Sequence, residues 1–207
     1  MYPIIRAQGL CFMDKLYYPD FSILEGAVVL IKGPSGSGKS TLFKLLNQMY
    51  DHSAGTIWFR GIDMERIDTI SLRRQIMLAG QQVWLFPGTI EENFRQFHAI
   101  HGTPVPDEAE MSECLHICSL DTDIHRTVDT MSGGERQRVF IAIAVSMNPK
   151  VLMLDEPTAA LDAVNAETVM RRIKERCQER NLTLLVVSHD DRLMEGFADQ
   201  IIQIGGN

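Results

Sequence analysis

The sequence predicts an α/β fold built on an open, mostly parallel sheet. Three observations predict it. Short continuous apolar runs at 28–31, 76–79, 151–154 and 182–187 read as strands buried on both faces. Helical stretches separate them, at 39–49, from 89 to about 125 and from about 163 to 179. Gly33-Pro34-Ser35-Gly36-Ser37-Gly38-Lys39-Ser40 joins the first run to the first helix, where an open parallel sheet holds its ligands.

In chain order, residues 3–32 and 55–60 carry β-rich patches, with a turn at Glu25-Gly26. Helix 39–49 follows the glycine-rich loop, and 76–79 reads as a core strand reaching Gln81-Gln82. From Thr89 to about His125 the chain reads as helical and polar, broken by Gly102-Thr103-Pro104-Val105-Pro106. A further helix opens after Ser132 and runs through Ala144. Strand 151–154 leads to Asp155, and 201–204 is followed by Gly205-Gly206-Asn207. With no linker, repeat or low-complexity stretch, residues 1–207 are expected to form one domain without an appended regulatory unit.

A chain of 207 residues with 45% hydrophobic content can bury a sizeable core. Uninterrupted apolar stretches such as 139–145 and 184–187 fall far short of a membrane span, and no basic-then-apolar leader opens the chain. The expected location is cytoplasmic, unless a partner holds the chain at a membrane. A net charge of −7 argues against a general nucleic-acid binder. Cys114, His116 and Cys118 suggest a metal site, but His116 points away from the helix face the two cysteines share, so packed thiols are expected.

The glycine-rich loop reads as a nucleoside triphosphate cradle formed by Gly33, Pro34, Ser35, Gly36, Ser37, Gly38, Lys39, Ser40 and Thr41. Glycines let backbone N–H groups wrap phosphates, and the following helix adds the partial positive charge of its N-terminus. Lys39 is expected on the β- and γ-phosphates, and the Ser40 hydroxyl on Mg²⁺. Asp155 closes an apolar strand, an expensive place for a carboxylate unless a cation such as Mg²⁺ compensates.

Ser132-Gly133-Gly134-Glu135 by itself is no more than a helix start. Its position, after the phosphate loop and before Asp155-Glu156, resembles the signature of ATP-binding cassette (ABC) proteins. The order of phosphate loop, glutamine, signature, acidic strand end, Asp162 and His189 follows that family nearly end to end. The resemblance implies a P-loop NTPase with a RecA-like core, an N-terminal antiparallel β lobe and an inserted helical lobe, roughly 83–145, carrying the signature. It gives Glu156 the attacking water, His189 the γ-phosphate and Asp162 the contact between monomers. Gln81 is implied as catalytic and as a Mg²⁺ ligand because Phe86 follows it by five residues, with Gln82 as the alternative. Phe12 is implied to stack on adenine, with Tyr17 second. Ser132, Gly133 and Gly134 would meet ATP held by the partner's loop, so two chains head to tail make two complete sites.

The resemblance therefore implies an ATPase subunit on the cytoplasmic face of a membrane, paired with a second copy of itself and a separate membrane-spanning permease. The alternative is a soluble ABC ATPase acting on DNA or ribosomes. Against it, only about ninety residues separate loop and signature, too few for a long coiled-coil insertion, and there is one cassette. The short chain and the 85–93 segment look similar to small bacterial subunits of the iron-export type, although fused lipid and drug exporters share that segment.

Overall fold

The computed structural model describes residues 3–188 and 196–205. Strand β1 (Ile5–Phe12) turns at Met13 and Asp14 into β2 (Leu16–Tyr17), and β3 (Phe21–Ile23) returns along β1. The chain then leaves for a second sheet through β4 (Val28–Lys32) and comes back with β5 (Ala54–Phe59) and β6 (Ile62–Asp63). This first sheet is wholly antiparallel, in the order β2-β1-β5-β6 with β3 also on β1. Ile5 and Ala7 are buried while Arg6 and Gln8 are exposed, the alternation of a sheet wet on one face.

The second sheet adds β7 (Ile76–Ala79), β8 (Val151–Asp155), β9 (Thr183–Val187) and β10 (Gln200–Gln203). Its order is β10-β4-β9-β8-β7, and every pairing is parallel. The continuous apolar runs conceal a two-residue period. Val28, Leu30, Leu152, Leu154, Leu184 and Val186 face one buried cluster, whereas Val29, Ile31, Val151, Met153, Leu185 and Val187 face another. The second cluster includes the antiparallel sheet and Leu42, Phe43, Leu45 and Leu46 of α1 (Lys39–Leu46). At about 1.5–3 kcal/mol for each large apolar side chain, both faces make this sheet the main source of cohesion.

Among the described residues, five further α-helices follow: α2 (Thr69–Gln75), α3 (Ile90–His101), α4 (Glu108–Ile117), α5 (Gly133–Ser146) and α6 (Ala163–Glu179). Helices α3 to α6 cover the first cluster. Among the described residues, no helix is long and apolar enough to cross a membrane.

Two expectations need correction. Helix 39–49 stops at Leu46: Gln48 is left-handed at φ 54°, and Arg73 donates to the Asn47 and Gln48 carbonyls at 3.1 and 2.6 Å. The helix expected up to about residue 125 stops at Ile117. Ser119 is left-handed at φ 51°, and the Leu120 N–H closes on the Leu115 carbonyl at 3.0 Å. The chain beyond serves another element. The Ile124 and Arg126 carbonyls accept the Glu91 and Ile90 N–H groups, which have no partner within α3 itself.

The same helix start explains the 85–93 segment. Thr89 and Glu92 form a reciprocal cap. Asn93, 0% exposed, accepts the Phe86 N–H at 2.8 Å and donates to the Phe86 and Thr89 carbonyls at 3.0 and 2.9 Å. Removing that amide breaks three bonds to the backbone, two of them at Phe86. Asn93→Ala should therefore destabilise the protein by about 1–3 kcal/mol, read as a lower urea midpoint at unchanged slope.

Candidate functional site

The Gly33–Ser40 loop leaves the carboxyl end of β4 and enters α1 through Gly38, which is left-handed at φ 93°. A side chain at Gly38 would also lie 2.8 Å from the Tyr18 hydroxyl. Tyr18 donates to the Gly38 carbonyl at 3.1 Å, and burial pushes its phenol up to about 12, keeping it protonated for that role. Sequence reading gave Tyr18 no part in the site, since nothing in the residue string marks a phenol from the hairpin as the loop's brace. Lys39 is 8% exposed and folds back over the loop, its ammonium donating to the Gly33 and Pro34 carbonyls at 2.7 and 3.0 Å.

In front of the loop lies a cleft of about 430 Å³, walled by Ser35, Gly36 and Gly38 to Thr41 together with Leu16, Gln81 and Glu156. A neighbouring hollow of about 340 Å³ shares Ser40 and Gln81 and adds Gln82, Phe140 and Asp155. Gln81 thus faces both spaces, whereas Gln82 faces only the second.

Asp155 ends β8 at 6% exposure, and its Oδ1 has no hydrogen-bond partner among the described residues. A buried acceptor of this kind, with the Ser40 hydroxyl beside the same hollow, fits a hard cation. Glu156 next to it is left-handed at φ 56°, a conformation that costs a non-glycine residue about 1–3 kcal/mol and clusters at functional sites. Its N–H donates to the Val187 carbonyl at 2.8 Å, and its carbonyl accepts from Gln137 Nε2 at 3.1 Å. His189 lies outside the described residues.

Ser132 caps α5, accepting the Glu135 N–H, while Glu135 accepts the Ser132 N–H at 2.8 Å and the Arg126 guanidinium at 2.7 Å. Ser132 and Gly133 are exposed. A side-chain carbon at Gly133 would meet open space, whereas one at Gly134 would lie 2.9 Å from the Ala160 methyl. Asp162 caps α6, accepting the Val164 and Asn165 N–H groups at 3.1 and 3.0 Å, and these bonds together with the Asn165 side chain lower its pKa. Phe12 stacks on Tyr50 with ring centres 5.3 Å apart, and the Lys44 ammonium lies 5.1 Å from that second ring. The hairpin residue that walls the cleft is Leu16, and Tyr17 is 73% exposed.

Cys114 and Cys118 are buried, while His116 is exposed and bonded to Asp121 at 2.7 Å. Among the described residues, no group of three or more His, Cys, Asp or Glu is placed to hold a metal ion.

Comparison with known proteins bears on this arrangement. The family described as "ABC transporter" matches residues 17–159. Protein STAR1 of Oryza sativa subsp. japonica is 34% identical over 206 residues, a stretch covering 96% of this chain and 59% of the rice protein. The chain thus spans about three fifths of that relative's length. Among solved structures, cbiO1 from Clostridium perfringens, described as part of the ABC transporter complex cbiONQ, matches with a TM-score of 0.83 at 26% identity. The match covers 99% of this chain and 85% of cbiO1. The ATP-binding cassette MJ0796, solved as a dimer in a post-hydrolysis state with ADP and Pi, matches with a TM-score of 0.82 at 28% identity. That match covers 97% of this chain and 94% of MJ0796.

The cap at α5 carries a pH signature. The Arg126 guanidinium, followed by the Ser132 N–H, lowers the Glu135 carboxyl from 4.5 to about 2. A depressed folded-state value stabilises above the unfolded value and is lost as pH falls through the folded one. The urea midpoint of the parent should exceed that of Glu135→Gln at neutral pH, and the gap should close as pH falls from 4.5 toward about 2.

Proposed function

The chain belongs to the ABC transporter family, and on that premise we propose that it is the ATP-binding, ATP-hydrolysing subunit of a transporter. In this reading two copies close around ATP on the cytoplasmic face of a membrane, under a separate membrane-spanning permease. The observation that carries it is the convergence of loop, Gln81 and Glu156 on one cleft, with Asp155 behind Ser40 in the adjoining hollow. The dimeric state of MJ0796, with hydrolysis products bound, supports the two-chain arrangement. The membership of cbiO1 in a transporter complex supports a membrane partner.

The phosphates of ATP take the backbone N–H groups around Gly36–Thr41 and the Lys39 ammonium, which exchanges its loop carbonyls for phosphate oxygens. Mg²⁺ would be held by Ser40, Asp155 and Gln81, and would supply charge neutralisation on the β- and γ-phosphates. Glu156 orients and polarises the attacking water, and the strained backbone presents its carboxylate at the cleft. Ser132, Gly133 and Gly134 serve the nucleotide held by the other chain, with Asp162 at the junction; the exposed Ser132-Gly133 end of α5 supports that role. Phe12 or Tyr17 is the proposed adenine neighbour, and His189 the proposed γ-phosphate contact. A nucleotide that bridges two chains is a switch, because its hydrolysis removes the bridge.

Glu156→Gln keeps shape and reach but loses the charge on the water, so turnover should fall by at least about a hundredfold while ATP remains bound. Size-exclusion chromatography with ATP should then show a dimer for this variant and a monomer for Lys39→Ala. A variant that stays monomeric at saturating ATP and still hydrolyses it would contradict the assignment.

Ser132→Arg separates the two half-sites. It should bind fluorescent ATP like the parent and lose hydrolysis, whereas Lys39→Ala should lose both. Equal losses of affinity in the two variants would mean that Ser132 acts within its own chain.

A further inference from the structure

Beyond its exposed capping end, α5 has an inward face that touches the turn carrying Glu156. Gly134 and Gln137 are three residues apart and therefore neighbours on one helix surface. Gly134 approaches Ala160 so closely that a single added carbon would lie 2.9 Å from its methyl. Gln137, half-buried, donates through Nε2 to the Glu156 carbonyl at 3.1 Å. That carbonyl also accepts the Ala159 N–H at 3.3 Å, closing the 156–159 turn. On its other side, the Glu156 N–H is taken by the Val187 carbonyl at 2.8 Å. Glu156 is thus gripped at both backbone ends, by the sheet through its N–H and by α5 through its carbonyl, in a left-handed conformation that an L-residue holds only when its surroundings over-determine it.

We propose that Gln137 is a positioning residue for hydrolysis: its amide holds the Glu156 backbone in the left-handed turn that aims the carboxylate at the cleft. This rests on the reading of Glu156 as the carboxylate that serves the attacking water. Gln137 walls neither the cleft nor the adjoining hollow. It acts on the backbone of the residue that does, from the same helix whose N-terminus is offered to the other chain. Loss of its donor leaves the phosphate loop intact, so it separates turnover from binding.

The test uses two variants that keep the length of the side chain but cannot donate, Gln137→Met and Gln137→Glu, and one that restores a donor, Gln137→Lys. Hydrogen exchange of the amides in 156–161 should accelerate about five- to tenfold in the first two, the equivalent of one lost hydrogen bond, while 36–46 stays at the parental rate. The kcat for ATP should fall about tenfold with KM and ATP affinity unchanged, the mark of a misplaced group outside the binding contacts. Gln137→Lys should recover both protection and kcat toward the parent. Parental exchange in both donor-less variants, or ATP affinity falling in step with kcat, overturns the proposal. Glu156→Gln run in parallel tests the underlying reading by itself. If that variant still turns over, Glu156 is not the catalytic carboxylate, whatever the exchange data say of the Gln137 contact. If it is inactive and Gln137→Met turns over like the parent, the reading of Glu156 stands and the positioning role falls.

Discussion

The site depends on the parallel register of three buried strands. β4, β9 and β8 lie side by side, with Val28 opposite Leu184 and Leu152 opposite Leu184 from the other side. Parallel strands end on the same edge, so the glycine-rich loop, Ser188 and Asp155-Glu156 emerge together although 115 residues separate Ser40 from Asp155. A slip of one residue would exchange the two buried clusters that the strands feed from their opposite faces. Both clusters are apolar, so side-chain volume rather than polarity distinguishes the two registers.

Around this edge, polar groups set what the apolar core cannot. Asn93 clamps the backbone of Phe86, and the Thr89–Glu92 and Ser132–Glu135 pairs close the starts of α3 and α5. Arg126 joins the two helix starts: its carbonyl accepts from α3 and its guanidinium binds Glu135 of α5. Phe86, Phe97 and Phe140 run edge to face from that junction to α5, with Trp84 at the exposed end. The helices around Ser132–Glu135 are therefore tied to one another.

The buried strands were legible because central parallel strands are buried on both faces and apolar at all but their end positions, and α6 because Asp162 caps a long periodic stretch. Helix ends were misread where a distant partner decides them. Arg73 stops α1, and the needs of α3 draw residues 120–126 out of a helix, neither of which leaves a local mark. α2 carries no apolar periodicity, since its seven residues bury only Leu72. The glycine-rich loop and Asp155-Glu156 are conspicuous by residue identity, and the structure brings them to neighbouring spaces. Tyr18 and Gln137 are not conspicuous, because each acts on the backbone of a residue far away in sequence.

The left-handed step at Glu156 also changes the parity of the strand. Consecutive residues of an extended chain present their side chains to opposite faces. Continued extension past Asp155 would have sent the next carboxylate to the far side of the sheet. Reversing φ at a single residue cancels that alternation, and two adjacent acids come to border two neighbouring spaces that share Ser40 and Gln81. One dihedral angle thus does the work of an inserted residue, with no change in chain length between the end of β8 and the cap of α6.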